Sequence, residues 1–578
     1  HRQLLLLDRR QQCRRVMDFK RCRAGQQSAP RHGHRSCGNL ATDLECAGKP
    51  EVKVETGLLH GATEYNMNVF KGIPYAAPPE GELRWRPPQP AASWSGTRDA
   101  SKFGNSCPQP NLKNENKGLG LPGNEDCLTL NVFTPQNSGK DLPVMVWIHG
   151  GALQMDGARD PLYTPINLVK NGVIVVTFDY RLGSLGFFAS QELVAEAKSK
   201  GEPVGNYGTM DQIAVLKWVK RNIAAFGGNP NNVTIFGESA GARSVTWLMV
   251  SDAARGLFHR AIAESAQQSP IRGLSEKRLG LAPATEVANK YMAALGVKSL
   301  KELRSLPAQK LVLTADQQKT GEFGGSMIDG QILKGDPVPL FASGQQAKVP
   351  FMIGTNSWDA SLFAFNQPPL DALAKAFKED PKVVNQLYSN IPEKCAVSAD
   401  LMGDMLFRAS TKFLADSMNG IAPGYAYYFD YLTKNIRPAY PGVPHAFEIS
   451  FVFGSNAFTN QAPKTPESSA NRCARIENAI AENRKGGIWP GYMYPITDKN
   501  DPQDIAISEK MSASWAQFAK TGNPNVEGQA NWPIYSLKED VMRTFSPNAE
   551  TIQGMTKERV DYQLLHLKIL DRKSTRLN

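Results

Sequence analysis

Hydrophobic positions along this chain follow two rhythms. In residues 142–148 (LPVMVWI), 173–180 (VIVVTFDY), 349–354 (VPFMIG) and 425–431 (YAYYFDY) they run almost consecutively, as expected of central parallel strands buried on both faces. Residues 52–61 and 65–70 alternate instead, which predicts a small antiparallel start. Between strands the period lengthens: Met210, Ile213, Leu216, Val219 and Ile223 line one face of a helix over 208–226. A short apolar stretch at 233–236 gives way to residues 240–250, which can continue as a helix. Segments 270–318, 360–420 and 466–520 read as helical caps or flanks. Strands alternating with helices predict a mostly parallel α/β sheet, and no internal repeat or linker divides the body.

Composition narrows the class. The chain has 578 residues, 41% hydrophobic and 21% charged, ordinary values for a globular protein, and its longest early apolar run, Leu4 to Leu7, is far too short to span a membrane. The formal charge of +11 is concentrated at the ends. Residues 1–50 hold nine Arg and two Lys against four acids, and residues 571–578 hold three bases against one acid. The body is left nearly neutral, which argues against nucleic-acid binding. Residues 1–50, Arg-rich and without periodicity, are therefore expected to be an extension outside the fold. Residues 51–570 are expected to form one domain, and 571–578 (DRKSTRLN), which resemble a translated sequencing adapter, to be a foreign tail.

The chemistry gathers around G-x-S-x-G at 237–241. A strand running directly into a helix through this motif makes a sharp elbow, with Ser239 at its tip and the amide of Ala240 at a helix N-terminus. The glycines keep Cβ atoms out of the crowded turn. Upstream, His149-Gly150-Gly151-Ala152 follows the strand at 142–148, and adjacent glycines let two amides face one bound carbonyl oxygen. Strand, HGG loop, strand, helix, strand and elbow, in that order, predict an α/β-hydrolase fold. In that fold the acid and then the histidine come after the nucleophile. Of His259, His445 and His566, His259 is expected on a helix leaving the elbow and His566 near the chain end. His445, in a Pro- and Gly-rich loop after the strand at 425–431, is the better base. Asp359 is the first carboxylate after the strand at 349–354; Glu393 and Asp404 fit the order but follow no recognisable strand. No Cys or His pairs fall at zinc-ligand spacings, so neither metal nor cofactor is expected. Cys107 and Cys127 bracket a Gly-, Asn- and Pro-rich loop, open to a crosslink or to two free thiols.

The runs FKGIPYAAPPEGELRWRPPQP, NEDCLTLNVF, HGGA, GNYGTMDQIAVLKWVKRNIAAFGGNPNNVTIFGESAGA and HAFEISFVFG resemble the type-B carboxylesterase family, which includes the cholinesterases, from about residue 51 to residue 545. The resemblance implies hydrolysis of small-molecule esters by Ser239, Asp359 and His445. It also implies an oxyanion hole from Gly150, Gly151 and Ala240, and a bridge between Cys107 and Cys127. From that bridge a secreted or periplasmic location is expected. Buried ion pairs are implied for Glu125 with an arginine of 83–86 and for Asp211 with Arg181, and a position beside the triad for Ser265. Two departures stand out. Most members carry Glu-Gly where this chain has Asp359-Ala360, and the cholinesterase tryptophan for cation binding has no counterpart between Cys107 and Cys127, which disfavours choline esters. A binding protein of the same fold that has lost catalysis, and an acyltransferase with the same triad, are the competing readings; oligomeric state is not legible.

Overall fold

The computed structural model describes residues 50–110, 123–136, 139–312, 325–361, 370–376, 379–391, 394–434, 436–437, 440–455, 501–546 and 550–565. All of these belong to the unit Lys49–Asn578. Its spine is an 11-stranded sheet. In chain order the strands are β1 (Ala62–Glu64), β2 (Met67–Pro74), β3 (Thr129–Pro135), β4 (Leu142–Ile148), β5 (Ile174–Phe178), β6 (Gly228–Glu238), β7 (Arg260–Glu264), β8 (Phe351–Asn356), β9 (Gly424–Phe429), β10 (Val541–Thr544) and β11 (Thr551–Gln553). In space they run β11-β10-β9-β8-β7-β6-β4-β5-β3-β2-β1. The stretch from β10 to β5 is parallel throughout, while β3, β2, β1 and β11 pair antiparallel at the two edges.

The consecutive apolar runs have the expected cause. Val144, Val146 and Ile148 of β4 enter the core on one face, with Val176 and Ile235, whereas Met145 and Trp147 enter the core on the other, with Val175 and Phe236. Each strand feeds two cores because successive side chains point to opposite sides of the sheet. Trp147 is enclosed by Tyr163, Phe236 and Phe453, with ring centroids 4.8–5.2 Å away.

Three helices set the site. α1 (Tyr207–Asn222) precedes β6, α2 (Ala240–Val250) leaves it, and α3 (Pro502–Thr521) packs on the second core through Ile507, Met511, Trp515 and Phe518. α3 begins with Asp501 capping the Gln503 amide and Pro502 in the first turn, and ends at left-handed Gly522. One sequence expectation changes. Residues 256–265 do not continue a helix out of the elbow: His259 stands immediately before β7, and Arg260–Glu264 are a strand paired with β6. His259 accepts from the Val233 amide there, far down β6 from its Ser239 end. The helical expectation for 466–520 holds over α3, and its earlier part lies outside the described residues. His566 and Glu393 also lie outside them.

Candidate active site

The sheet delivers its chemistry at one end. Parallel pairing aligns Ile148, Glu238, Glu264 and Asn356 as the last residues of neighbouring strands β4, β6, β7 and β8, the end at which open α/β sheets bind ligands.

Ser239 follows β6 with φ 56° and ψ −119°, a conformation that costs a non-glycine residue on the order of 1–3 kcal/mol and is held only by its surroundings. Its amide is bonded to Glu264 O at 2.9 Å. The flanking glycines are compelled by β4: a Cβ on Gly237 would lie 2.5 Å from Ile148 O, and one on Gly241 only 1.9 Å from the same atom. α2 therefore starts hard against the strand that ends in the HGGA loop. The first helical bond of α2 runs from the Arg243 amide to Ser239 O at 2.9 Å, so the amides of Ala240, Gly241 and Ala242 precede it.

The HGGA loop is rigid for its own reasons. Gly151 has φ +83°, and a Cβ there would lie 2.1 Å from Met155 O. Its carbonyl accepts from the Gln154 and Met155 amides, and Ala152 and Leu153 also have left-handed φ. His149 is buried and stacked on Tyr180 with centroids 4.3 Å apart. The Tyr180 hydroxyl donates to His149 O at 2.8 Å. Burial pulls the His149 imidazole down to about 3, so it is neutral and acts as a spacer under Gly150 and Gly151.

On the far side, β8 and the loop after β9 bring Asp359 and His445 together. His445 Nδ1 lies 2.8 Å from Asp359 Oδ1, and both residues are buried. The second Asp359 oxygen accepts from the Asn356 amide at 2.7 Å, from Ser265 Oγ at 2.9 Å and from the Thr355 hydroxyl. The shorter aspartate reaches its imidazole because the loop closes tightly: the Trp358 amide donates to Val443 O at 2.8 Å and the His445 amide to Ser361 Oγ at 2.9 Å. Nε2 of His445 lies 3.0 Å from Glu238 Oε1, and among the described residues it makes no hydrogen bond. Asp404, by contrast, is bound to Arg408 and to the Tyr388 hydroxyl and does not approach His445.

Several residues at the site escaped the sequence reading. Glu448 accepts from Ser265 Oγ at 3.3 Å and from the Asn356 side chain. Burial first, and the nearby Asp359 charge second, push its carboxyl up to about 7. Glu238 and Glu264 are raised well above the carboxylate range, again by burial and then by neighbouring carboxylates. The Phe407 ring rests on His445 with centroids 5.5 Å apart, presented by a π turn at Asp404–Arg408. Glu238 was within reach, being the x immediately before Ser239 in G-x-S-x-G, and Glu448 follows His445 by three positions in HAFE.

A model of the Carboxylesterase family matches residues 48–476. The chain belongs to the carboxylesterase family. It is 35% identical to the para-nitrobenzyl esterase of Bacillus subtilis (strain 168) over 503 residues, 84% of this chain and 92% of that protein. With the liver carboxylesterase of Sus scrofa it shares 31% over 546 residues, 86% and 88% of the two chains. Among solved structures, a PNB esterase superposes with TM-score 0.72 at 30% identity, covering 89% of this chain and 99% of that one. A Geobacillus stearothermophilus carboxylesterase gives 0.71, also at 30%, over 88% and 99%. The fold is thus the α/β-hydrolase fold, and carboxylic-ester hydrolysis is the reaction class of this carboxylesterase.

Two family-linked ion pairs are present. Arg84, of the four residues 83–86, is bidentate to Glu125 at 2.5 and 2.7 Å. Arg181 is bidentate to Asp211 at 2.7 and 2.8 Å. Cys107 and Cys127 form a disulfide with Cα atoms 5.0 Å apart. No described helix is long and apolar enough to cross a membrane, and no group of His, Cys, Asp and Glu suited to a metal occurs among the described residues.

Proposed function

We propose that this carboxylesterase works by two-step acyl transfer through Ser239, with His445 as base and Asp359 as the acid that orients it. His445 takes the Ser239 proton as the hydroxyl attacks the ester carbonyl. The amides of Gly150, Gly151 and Ala240 stabilise the oxyanion, and the imidazolium returns the proton to the leaving alcohol. Water then repeats the cycle on the acyl-enzyme, so the reaction draws on no metal or organic cofactor. The observation that carries this reading is the 2.8 Å contact between His445 Nδ1 and Asp359, which leaves Nε2 turned toward the end of β6 where Ser239 follows Glu238. The disulfide favours an oxidising compartment.

A fluorophosphonate probe, with the labelled peptide located by mass spectrometry, tests the nucleophile. Labelling is expected on Ser239 and on no other serine. Ser239→Ala should lower p-nitrophenyl butyrate hydrolysis by roughly 10⁴-fold or more while leaving the melting curve close to that of the wild type. Equal turnover by the folded variant and the wild type would sink the proposal.

A further inference from the structure

The helix that begins at the nucleophile is buried along its whole length at every position but one. Ala240, Gly241, Ala242 and all residues from Ser244 to Val250 are buried, whereas Arg243 stays partly open to solvent. Ser239 is the other partly open position at this elbow. Arg243 is the fourth residue after Ser239, and its amide donates to Ser239 O at 2.9 Å, so the two partly open positions lie one turn apart at the same end of the helix.

A cation here is unexpected on packing grounds. Burial lowers the guanidinium to about 10, so it remains charged at neutral pH, yet among the described residues no side chain forms an ion pair with it. Among the described residues the guanidinium stands over the Trp247 ring, its carbon 5.2 Å from the ring centroid. Stacking on an aromatic face leaves the in-plane N–H donors free for a planar oxyanion. The anion whose charge acts on it is Asp336, and that carboxylate is committed: Oδ2 is 2.5 Å from Arg278, and Oδ1 accepts from the Ile271 amide at 2.7 Å. Asp336 and Arg278 cancel, so Arg243 supplies a net positive charge.

A pocket shares Asp336, the anion whose charge acts on Arg243, as part of its wall. Gln268, Pro270, Leu279, Asp336 and Val338 line it, and Gln268 is tied back to α2 by a 3.4 Å bond to the Thr246 hydroxyl. Apart from Gln268, Ser269 and the paired Asp336, the walls are apolar and suited to a short methylene chain.

We propose that Arg243 is a specificity-determining residue that binds a carboxylate carried by the ester substrate, so that esters of dicarboxylic acids or of hydroxy acids are favoured over neutral esters of equal length. This rests on Ser239 being the nucleophile. The carboxylate would lie one helical turn from the reacting carbonyl, and its bidentate pairing would be made in the ground state and the transition state alike. The preference should therefore appear chiefly in KM.

Two pairs of probes decide it, each pair differing only by a terminal carboxylate in place of a methyl group. Monoethyl adipate against ethyl hexanoate places the charge on the acyl arm, and 4-acetoxybutanoate against butyl acetate places it on the alcohol arm. Hydrolysis is followed by pH-stat titration. For one pair, the wild type should prefer the anionic ester in kcat/KM by on the order of tenfold or more. Arg243→Gln should abolish that preference while changing the neutral ester by less than about twofold, and Arg243→Lys should keep part of it. A wild type without preference in either pair overturns the proposal, as does an Arg243→Gln variant that retains the preference or loses neutral and anionic turnover together. If Arg243→Gln fails to fold, Arg243→Lys decides: preserved discrimination upholds the charge and lost discrimination overturns it. Turnover of ethyl hexanoate without anionic preference rejects Arg243 alone. Absence of all turnover together with an unlabelled Ser239 rejects the serine mechanism beneath it.

Discussion

The two halves of the site are built by different means. The Ser239 side, from β4 through the HGGA loop to the elbow of β6 and α2, is a backbone construction: left-handed φ at Gly151, Ala152, Leu153 and Ser239, with glycines where a Cβ would meet a carbonyl. The Asp359–His445 side, at the ends of β7, β8 and β9, is a side-chain construction in which Asp359, Glu448, Asn356, Ser265 and His445 hold one another by hydrogen bonds. Backbone shape is specified by residues adjacent in sequence, whereas a buried polar network is specified by residues brought from the ends of three strands, β7, β8 and β9. The first should therefore fail sterically, and the second should fail by charge.

The sharpest test of that division is Asp359. Asp359→Asn keeps the volume but removes the charge opposite Nδ1, and an amide NH₂ facing that nitrogen forces the wrong tautomer. Loss of kcat on the order of 10⁴-fold is expected, with little change in melting temperature. Asp359→Glu, which keeps the charge on a side chain one methylene longer, is expected to retain far more activity than the amide, although the loop is closed for the shorter acid. If Asp359→Asn kept wild-type kcat, the acid would lie elsewhere and the charge-based account of this half would fall.

Sequence legibility follows the same division. Ser239, Gly150, Gly151 and the order of strands were readable because G-x-S-x-G and HGG carry their steric reasons in adjacent residues. The consecutive apolar runs marked the two-faced strands β4, β5, β8 and β9 for a similarly local reason. His445 and Asp359 came from chain order and strand ends. Glu448 and Phe407 did not emerge, since a glutamate three positions past a histidine and a phenylalanine in a helix have no local mark of burial against an imidazole. The strand at Arg260–Glu264 was missed because AIAE suits a helix by propensity, and pairing with β6 and β8 overrides it.

Gly241→Ala probes the backbone half and should act by geometry. The added methyl would sit 1.9 Å from Ile148 O, an approach that no rotamer change relieves, so α2 must move away from β4 and carry the Ala240 amide with it. Removal of one oxyanion donor costs about 10²–10³ in kcat, and overpacking adds about 1–3 kcal/mol of destabilisation. Both should appear together, in turnover of p-nitrophenyl butyrate and in thermal unfolding. A variant that melted like the wild type at full activity would show that the contact is not binding on the fold.

The smallest effect, and the one that best separates charge from shape, is expected for Glu448→Gln. Glu448 has its pKa raised from 4.5 to about 7, chiefly by burial. Between those values the native protein holds a proton that the unfolded chain has released, so Glu448 contributes most to stability below pH 4.5 and its contribution falls as pH rises to about 7. Glutamine removes this term. The stability of Glu448→Gln relative to the wild type should therefore improve between pH 5 and pH 8. Activity should move the other way. Above pH 7 the wild type carries a second carboxylate whose charge acts on His445 and favours the imidazolium formed during attack, so the variant should be close to wild type in kcat near pH 6 and lower by about threefold to tenfold at pH 8. Melting curves and kcat measured across that range would show the two trends diverging. Parallel trends would mean that Glu448 holds the loop by shape alone, and the contrast between the two halves of the site would lose its electrostatic side.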